Sequence, residues 1–440
     1  MENLKPKGLL ISSFIALIVL LLPLGLGWQA QATLSIAALM GMFWFTEAMP
    51  LHVTALFGTF LLIISGSAPA KDAFAGYFNP TIALFFGGLV LALAMSIHGL
   101  DRKIASFFMG SFGDEPNRFI LGIMISTAFL SFWISNTATA AIMLPIALFT
   151  VPGAISRASS YAKAVAIGVA FAATIGGMAT IVGTPPNAIA AAKLAEMGIV
   201  LSFLDWSFHA LPLVCLLIPA SWLVIVLMHR PEIRQVRFKR VEGGWTRGQL
   251  WTLAIGALTV ALWMTSSIHK IPDGAVSIFT VVLLYCADLV RKDDVSRIDW
   301  GVLLLLGGSM ALGSAIESSG LSSIIGRMLA DVITGQGTFG IFLAISAFGT
   351  AVTAGMSNTS TAALIVPIVA SLPPVAAGAK EIVILAGLAA SFNFLSPAGT
   401  PPSAMAFSSG RLKVWDMVKV GIPITLIALA LSALIATFLW

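Results

Sequence analysis

The chain has 440 residues, 58% of them hydrophobic and only 10% charged, with a mean hydropathy of +0.99. Soluble globular chains are about a quarter charged, so this composition excludes a soluble protein for want of polar surface. The formal charge of +5 says little about partners; the placement of the basic residues says more.

In lipid the backbone must satisfy its own hydrogen bonds, so long apolar runs mean helices. Barrel strands would give short alternating segments, which this sequence lacks. The first run, at 9–27, follows a basic start and has no clear small-residue cleavage site, which predicts a first spanning helix over 1–28 rather than a signal peptide. Further spans fall at 31–48, 51–67, 79–99, 161–198, 207–228, 248–268, 274–290, 300–319, 381–410 and 415–438. Two more segments, 118–152 and 337–372, are apolar but interrupted at their centres by Ser135-Asn136-Thr137 and Ser357-Asn358-Thr359. Their length suits two half-helices folded back as a re-entrant hairpin better than one span. The fold class is therefore an all-α polytopic membrane protein with about 11 transmembrane helices and two hairpins.

Charge tests this layout. With hairpins that re-emerge where they entered and a cytoplasmic N-terminus, 19 of the 24 Lys and Arg residues fall inside and five outside. That is the positive-inside pattern of a plasma-membrane protein, with the C-terminus outside. The basic stretch 230–247 reads as a cytoplasmic linker rather than a nucleic-acid patch. Cys215 and Cys286 read as two buried thiols within apolar runs, with no disulfide framework or metal spacing.

The linker separates two similar halves, 29–229 and 248–440. Leu84–Leu100 matches Leu303–Leu321, "SNTATAAIMLPI" matches "SNTSTAALIVPI", and "IVGTPPNAIA" matches "SPAGTPPSAMAF". Each half has five crossings and one hairpin. An odd number of crossings turns the second copy upside down, the inverted repeat common among secondary transporters. The Gly-Thr-Pro-Pro segments should unwind their spans, near 183–187 and 399–402, since Pro removes a donor and Gly is permissive. Each unwound segment is expected to face the hairpin tip of its own half.

A break at Ser-Asn-Thr offers hydroxyls, an amide and free helix ends. Helix N-termini favour carboxylates, while C-terminal carbonyls favour Na⁺. No Lys, Arg, Asp or Glu adjoins either tripeptide, and the five histidines read as structural or interfacial. A proton relay is therefore not expected. An anion held by neutral groups, with co-bound cations balancing its charge, fits better.

The paired tripeptides, each followed by Gly-Thr-Pro-Pro, resemble the divalent anion/sodium symporter family of dicarboxylate, citrate and sulfate transporters, over essentially the whole chain. The resemblance implies a homodimer with an elevator mechanism and Na⁺ as coupling ion, without a cofactor. Spans one to four and seven to nine would be scaffold; both hairpins with spans five, six, ten and eleven would move. One sodium site would use Ser131, Ser135, Asn136 and Gly183, and the other Thr353, the Met356 carbonyl, Asn358 and the Gly399 carbonyl. Ser131 and Ser135, spaced as one helical turn, are expected to face one cation. The substrate would meet Ser135, Asn136, Thr137, Ser357, Asn358, Thr359, Thr400 and Pro401. The stretches after spans four and nine, 100–116 and 321–337, would brace the moving part. Ser403 departs from the first half, which has Asn187 there.

The leading reading is sodium-coupled import of C4-dicarboxylates such as succinate, malate or fumarate. Sulfate, citrate, and an exchanger or efflux carrier for another anion such as arsenite remain open. A zinc protease would need HExxH and an intramembrane aspartyl enzyme paired Asp, and neither is present. A channel is the third class, which paired hairpins disfavour.

Overall fold

Prolines and short polar caps set most helix limits. The computed structural model describes residues 5–151, 159–236, 238, 243–324, 336–372, 378–396 and 399–440, and their regular structure is entirely helical. Pro6, Pro80, Pro116, Pro185 and Pro401 each open a helix, where the missing N–H has no intrahelical partner to lose. Asn79, Glu115, Ser135, Ser159, Ser202, Thr246 and Ser357 cap helix N-termini through their side chains.

The first half runs α1 (Pro6–Leu21), α2 (Trp28–Thr46), α3 (Leu51–Ile64), α4 (Ala70–Ala75), α5 (Pro80–Ile97), α6 (Leu100–Met109), α7 (Pro116–Ser131), α8 (Asn136–Phe149), α9 (Ser160–Gly177), α10 (Pro185–Glu196) and α11 (Phe203–Met228). The second half runs α12 (Arg247–Met264), α13 (Ser266–His269), α14 (Asp273–Cys286), α15 (Trp300–Ser318), α16 (Thr338–Thr353), α17 (Asn358–Ala370), α18 (Ala379–Ala389), α19 (Pro401–Ala406) and α20 (Val414–Phe438).

Among the described residues, five stretches are long and apolar enough to cross a membrane by length and composition: Ala70–Ile97, α9, α11, α15 and α20. Cys215 on α11 and Cys286 at the end of α14, expected to be buried, are instead exposed, on faces that no other described helix of the chain covers. Several others are short because the chain breaks them. The expected hairpins are α7–α8 and α16–α17, each interrupted at its tripeptide, though residue 152 lies outside the described set. The expected span 161–198 divides into α9 and α10, and 381–410 into α18 and α19.

The breaks differ from the expected ones in position. In both halves the two prolines lie in the first helical turn, and the unwound residues precede them, at 178–184 and, among the described residues, at 390–396 and 399–400. Proline is compatible with a helix start, so it ends the break rather than forming it.

Helix contacts recur between halves. In the first, α7 and α8 pack on α9, and α11 packs on α7 and α9. In the second, α16 and α17 pack on α18, and α20 packs on α16 and α18. The halves then interlock: α10 crosses onto α17 and α18, while α19 crosses onto α8 and α9. A second group joins α1 with α2, α2 with α3, α3 and α4 with α15, and α5 with α14. The two groups meet where α10 touches α5 and α15, and where α17 touches α2 and α15. The expected brace after span four is the short helix α6, packed on α7. Of its counterpart, residues 321–324 are helical and 325–335 lie outside the described residues.

Candidate functional site

The first tripeptide starts a helix. Ser135 has left the helical conformation and its Oγ accepts the Ala138 N–H at 3.3 Å, so Asn136 is the first residue of α8. Because α7 stops at Ser131, the two serines are not one turn apart on a helix, which corrects the expected spacing: Ser135 does not stack on Ser131. Asn136 takes that place. Ser131 Oγ lies 2.8 Å from Asn136 Oδ1 and 2.7 Å from the Ala173 carbonyl oxygen. Three oxygens thus converge with one hydroxyl proton among them. Asn136 Nδ2 reaches Thr184 Oγ1 at 3.4 Å, joining the tip to the unwound segment of its own half, as expected. The glycines are there for closeness. A Cβ on Gly177 would collide with Asn136 Oδ1, and one on Gly183 would meet the Gly177 and Ser131 carbonyls.

The second tripeptide repeats the construction. Ser357 Oγ accepts the Ser360 N–H at 3.2 Å, and Asn358 begins α17. Thr353 Oγ1 lies 3.2 Å from Asn358 Oδ1 and 2.8 Å from the Ala390 carbonyl oxygen. Again three oxygens share one proton.

The remaining expected residues are distributed unevenly. Thr137 is exposed and Thr359 half-buried, one residue inside their helices and beside the free N–H groups. Thr400 is buried and caps α19 by accepting the Ser403 N–H at 3.2 Å, while Pro401 is exposed. Gly183, Met356 and Gly399 are buried at the breaks. The expectation that each unwound segment serves its own half holds for its loop only, since α10 and α19 pack on the hairpin of the other half.

Sequence reasoning missed four contributors. The Ala173 and Ala390 carbonyls are backbone atoms with no signal in the residue type. Thr180 Oγ1 donates to the Phe132 carbonyl, and Asn393 reaches the second hairpin; each is a polar residue in an apolar run. The signal for Asn393 was its place between Phe392 and Phe394.

Among the described residues, the hydrogen-bond partners of Ser131, Asn136, Thr353, Asn358 and Asn393 are all neutral. The ion pairs lie elsewhere. Lys163 Nζ meets Asp416 at 2.9 Å, and the buried Lys193 Nζ meets Glu196 at 3.1 Å and Glu317 at 3.2 Å. His229, just beyond α11, is buried, and loss of solvent holds its pKa below the ordinary histidine value. Among the described residues no group of three or more His, Cys, Asp or Glu side chains could hold a metal ion.

Comparison with known proteins settles the class. Residues 4–440 match the family model for the sodium:sulfate symporter transmembrane region. The chain belongs to this sodium symporter family. As a family member it is a transporter of a sodium-coupled class, not an enzyme, and the divalent anion/sodium symporter resemblance holds. An uncharacterised transporter of Haemophilus influenzae is 33% identical over 434 residues, covering 94% of this chain and 92% of that one. The sodium-dependent dicarboxylate transporter SdcS of Staphylococcus saprophyticus is 31% identical over 475 residues, covering 98% and 91%. Among solved structures, the YdaH transporter of Alcanivorax borkumensis superposes with a TM-score of 0.56 at 14% identity, covering 99% of both chains. MtrF of Neisseria gonorrhoeae, described as an antimetabolite efflux pump, gives 0.56 at 11%, covering 97% of each. At such identities these structures speak for the fold alone.

Proposed function

We propose that the protein imports C4-dicarboxylates, such as succinate, malate or fumarate, together with Na⁺. The observation that carries this reading is the pair of oxygen triads, Ser131/Asn136/Ala173 and Thr353/Asn358/Ala390. Each is rich in lone pairs and poor in protons, which suits a hard cation bound by neutral oxygens. Each sits directly behind a tripeptide that opens a helix, so the cation lies beside the free N–H groups that would meet a carboxylate. Ser135, Asn136 and Thr137 would receive one end of a dianion, and Ser357, Asn358 and Thr359 the other, with Thr400 and Pro401 lining the pocket. Ser135, Gly183, Met356 and Gly399 would complete the two sodium shells. The dicarboxylate choice is supported by the similarity to the sodium-dependent dicarboxylate transporters SdcS.

Transport would proceed by an elevator. The group α7–α11 with α16–α20 would slide against α1–α5 with α12–α15, carrying both tips. The recurrence of helix contacts supports an inverted repeat in which one hairpin opens to the cytoplasm and the other outward. The basic linker supports a cytoplasmic N-terminus, an external C-terminus and a plasma-membrane location. A homodimer is supported by the open, mainly apolar cleft of about 750 Å³ at α5, α14 and α15, beside the almost fully exposed Phe78.

The substrate class is tested by thermal unfolding of the purified protein in Na⁺ with a panel of anions. Succinate, malate and fumarate are expected to raise the midpoint, and sulfate and citrate to leave it unchanged. Stabilisation by sulfate or citrate without succinate would overturn the dicarboxylate assignment.

A further inference from the structure

Each half carries a buried carboxamide beside its unwound segment, but at different positions. In the first half it is Asn187, the third residue of α10. Its Nδ2 donates to the carbonyls of Gly177 at 2.9 Å, Met178 at 3.3 Å and Thr180 at 2.7 Å, all within the unwound strand. Counted from the repeated Gly-Thr-Pro-Pro, the matching residue of the second half is Ser403. Its Oγ pairs with Thr400 Oγ1 at 2.9 Å, a contact internal to the cap of α19.

In the second half the carboxamide lies before the break. Asn393 is six residues ahead of Gly399, the position that Gly177 occupies ahead of Gly183. It does not brace its own strand. Its Nδ2 donates across to the hairpin, to the Thr353 carbonyl and, at 3.3 Å, to the Met356 carbonyl. Asn393 is only 2% exposed, and its Oδ1 has no hydrogen-bond partner among the described residues. The amide fills the space that Gly399 leaves open, since a Cβ there would strike both its oxygen and its nitrogen. Two residues earlier, Ser391 Oγ is also buried and without a partner among the described residues.

A buried amide oxygen without a partner is costly, and a carboxamide whose N–H groups are tied to two carbonyls has its oxygen fixed in direction. Here the oxygen lies beside Gly399, on an amide whose nitrogen is tied to the Thr353 and Met356 carbonyls, so the group adjoins three of the four residues assigned to the second sodium site. Asn187 Oδ1 has no partner among the described residues either, but its amide is tied to carbonyls of its own unwound segment and none of the hairpin.

We propose that Asn393 is a sodium-binding residue of the second site, supplying Oδ1 to the cation while its N–H groups hold the hairpin carbonyls in place. The inference rests on the sodium-coupled reading above. It makes the two sodium sites chemically unequal, because the first half has Gly177 where the second has this ligand. It also ties cation binding in the second half to contact between hairpin and unwound strand, because one side chain spans both.

The test is the Na⁺ dependence of thermal unfolding for the full-length protein in detergent, without substrate, with choline replacing Na⁺ at constant ionic strength. Wild type is expected to be stabilised by Na⁺; absence of that response would defeat the sodium reading itself. Asn393→Ala is expected to raise the half-saturating Na⁺ about tenfold, the loss of one ligand to a charged group. Asn393→Ala with Ser403→Asn rebuilds the brace of the first half without returning an oxygen to the cation. It is expected to recover the unfolding midpoint in choline and to keep the raised Na⁺ requirement. If either folded variant responds to Na⁺ like wild type, Asn393 is not a ligand.

Discussion

Gly177 shows how little room lies beside Asn136. Its missing Cβ is what lets the Asn136 carboxamide turn toward Ser131. Gly177→Ala is therefore expected to displace that side chain and to cut Na⁺-driven uptake to less than about a tenth of wild type, tenfold being about 1.4 kcal/mol. Asn136→Ala and Asn358→Ala remove the oxygen itself and are expected to abolish uptake while leaving a folded protein; wild-type rates in both would reject the site assignment. His229 carries a different prediction. Burial depresses its pKa; Asp416 opposes this, and Lys163 and Lys419 reinforce it. The unfolded chain binds this proton near pH 6.5, the folded chain only at lower pH. The unfolded state then holds more protons below that point, so stability is full above about pH 6.5 and falls as pH drops through the depressed value. His229→Gln is expected to flatten the unfolding midpoint between about pH 7 and 5. An unchanged pH profile in that variant would show that His229 titrates normally.

At the scale of elements, the broken helices are held open by side chains as well as by proline. Asn187 donates to three carbonyls of the first break, of which Met178 also accepts from Trp206 Nε1 and Thr180 from the Gly183 N–H. Asn187→Ala is expected to destabilise the protein by about 1–3 kcal/mol, the cost of removing the donor to the buried Gly177 carbonyl, and to be visible as a lower unfolding midpoint in detergent. The breaks were readable because Ser-Asn-Thr and Gly-Thr-Pro-Pro are polar or helix-breaking motifs placed twice in apolar runs. Their extents were not. The second break begins near Ala390, and nothing in "SFNFLSPA" marks a helix end until its proline. The oxygen triads were half readable. Ser131, Asn136, Thr353 and Asn358 declare themselves by type, whereas Ala173 and Ala390 contribute carbonyls that any residue would have. The crossing of α10 and α19 onto the opposite hairpins was also hidden, because a local motif carries no information about which distant helix it will pack against.

At the scale of the molecule, the proposed elevator needs contacts that exist in only one position of the moving part. Lys193 on α10 and Glu317 on α15 form such a contact across the two helix groups. Because Glu317 is largely exposed, the pair itself is worth at most about 1 kcal/mol, so charge removal alone should change rates little. Tethering is the sharper test. In a background with Cys215 and Cys286 replaced by Ser, Lys193→Cys with Glu317→Cys joined by a short bifunctional thiol reagent is expected to stop uptake, and reductive release to restore it. Full transport by the tethered protein would rule out sliding at this interface.

The central claim is that two neutral cradles bind a dianion with sodium and that the sodium gradient drives its entry. Proteoliposomes holding the purified protein, given labelled succinate with and without an inward Na⁺ gradient, test it directly. Accumulation above the external concentration with the gradient, lost when K⁺ or choline replaces Na⁺, is the expected result. Equal uptake without Na⁺, or none in its presence, would contradict it.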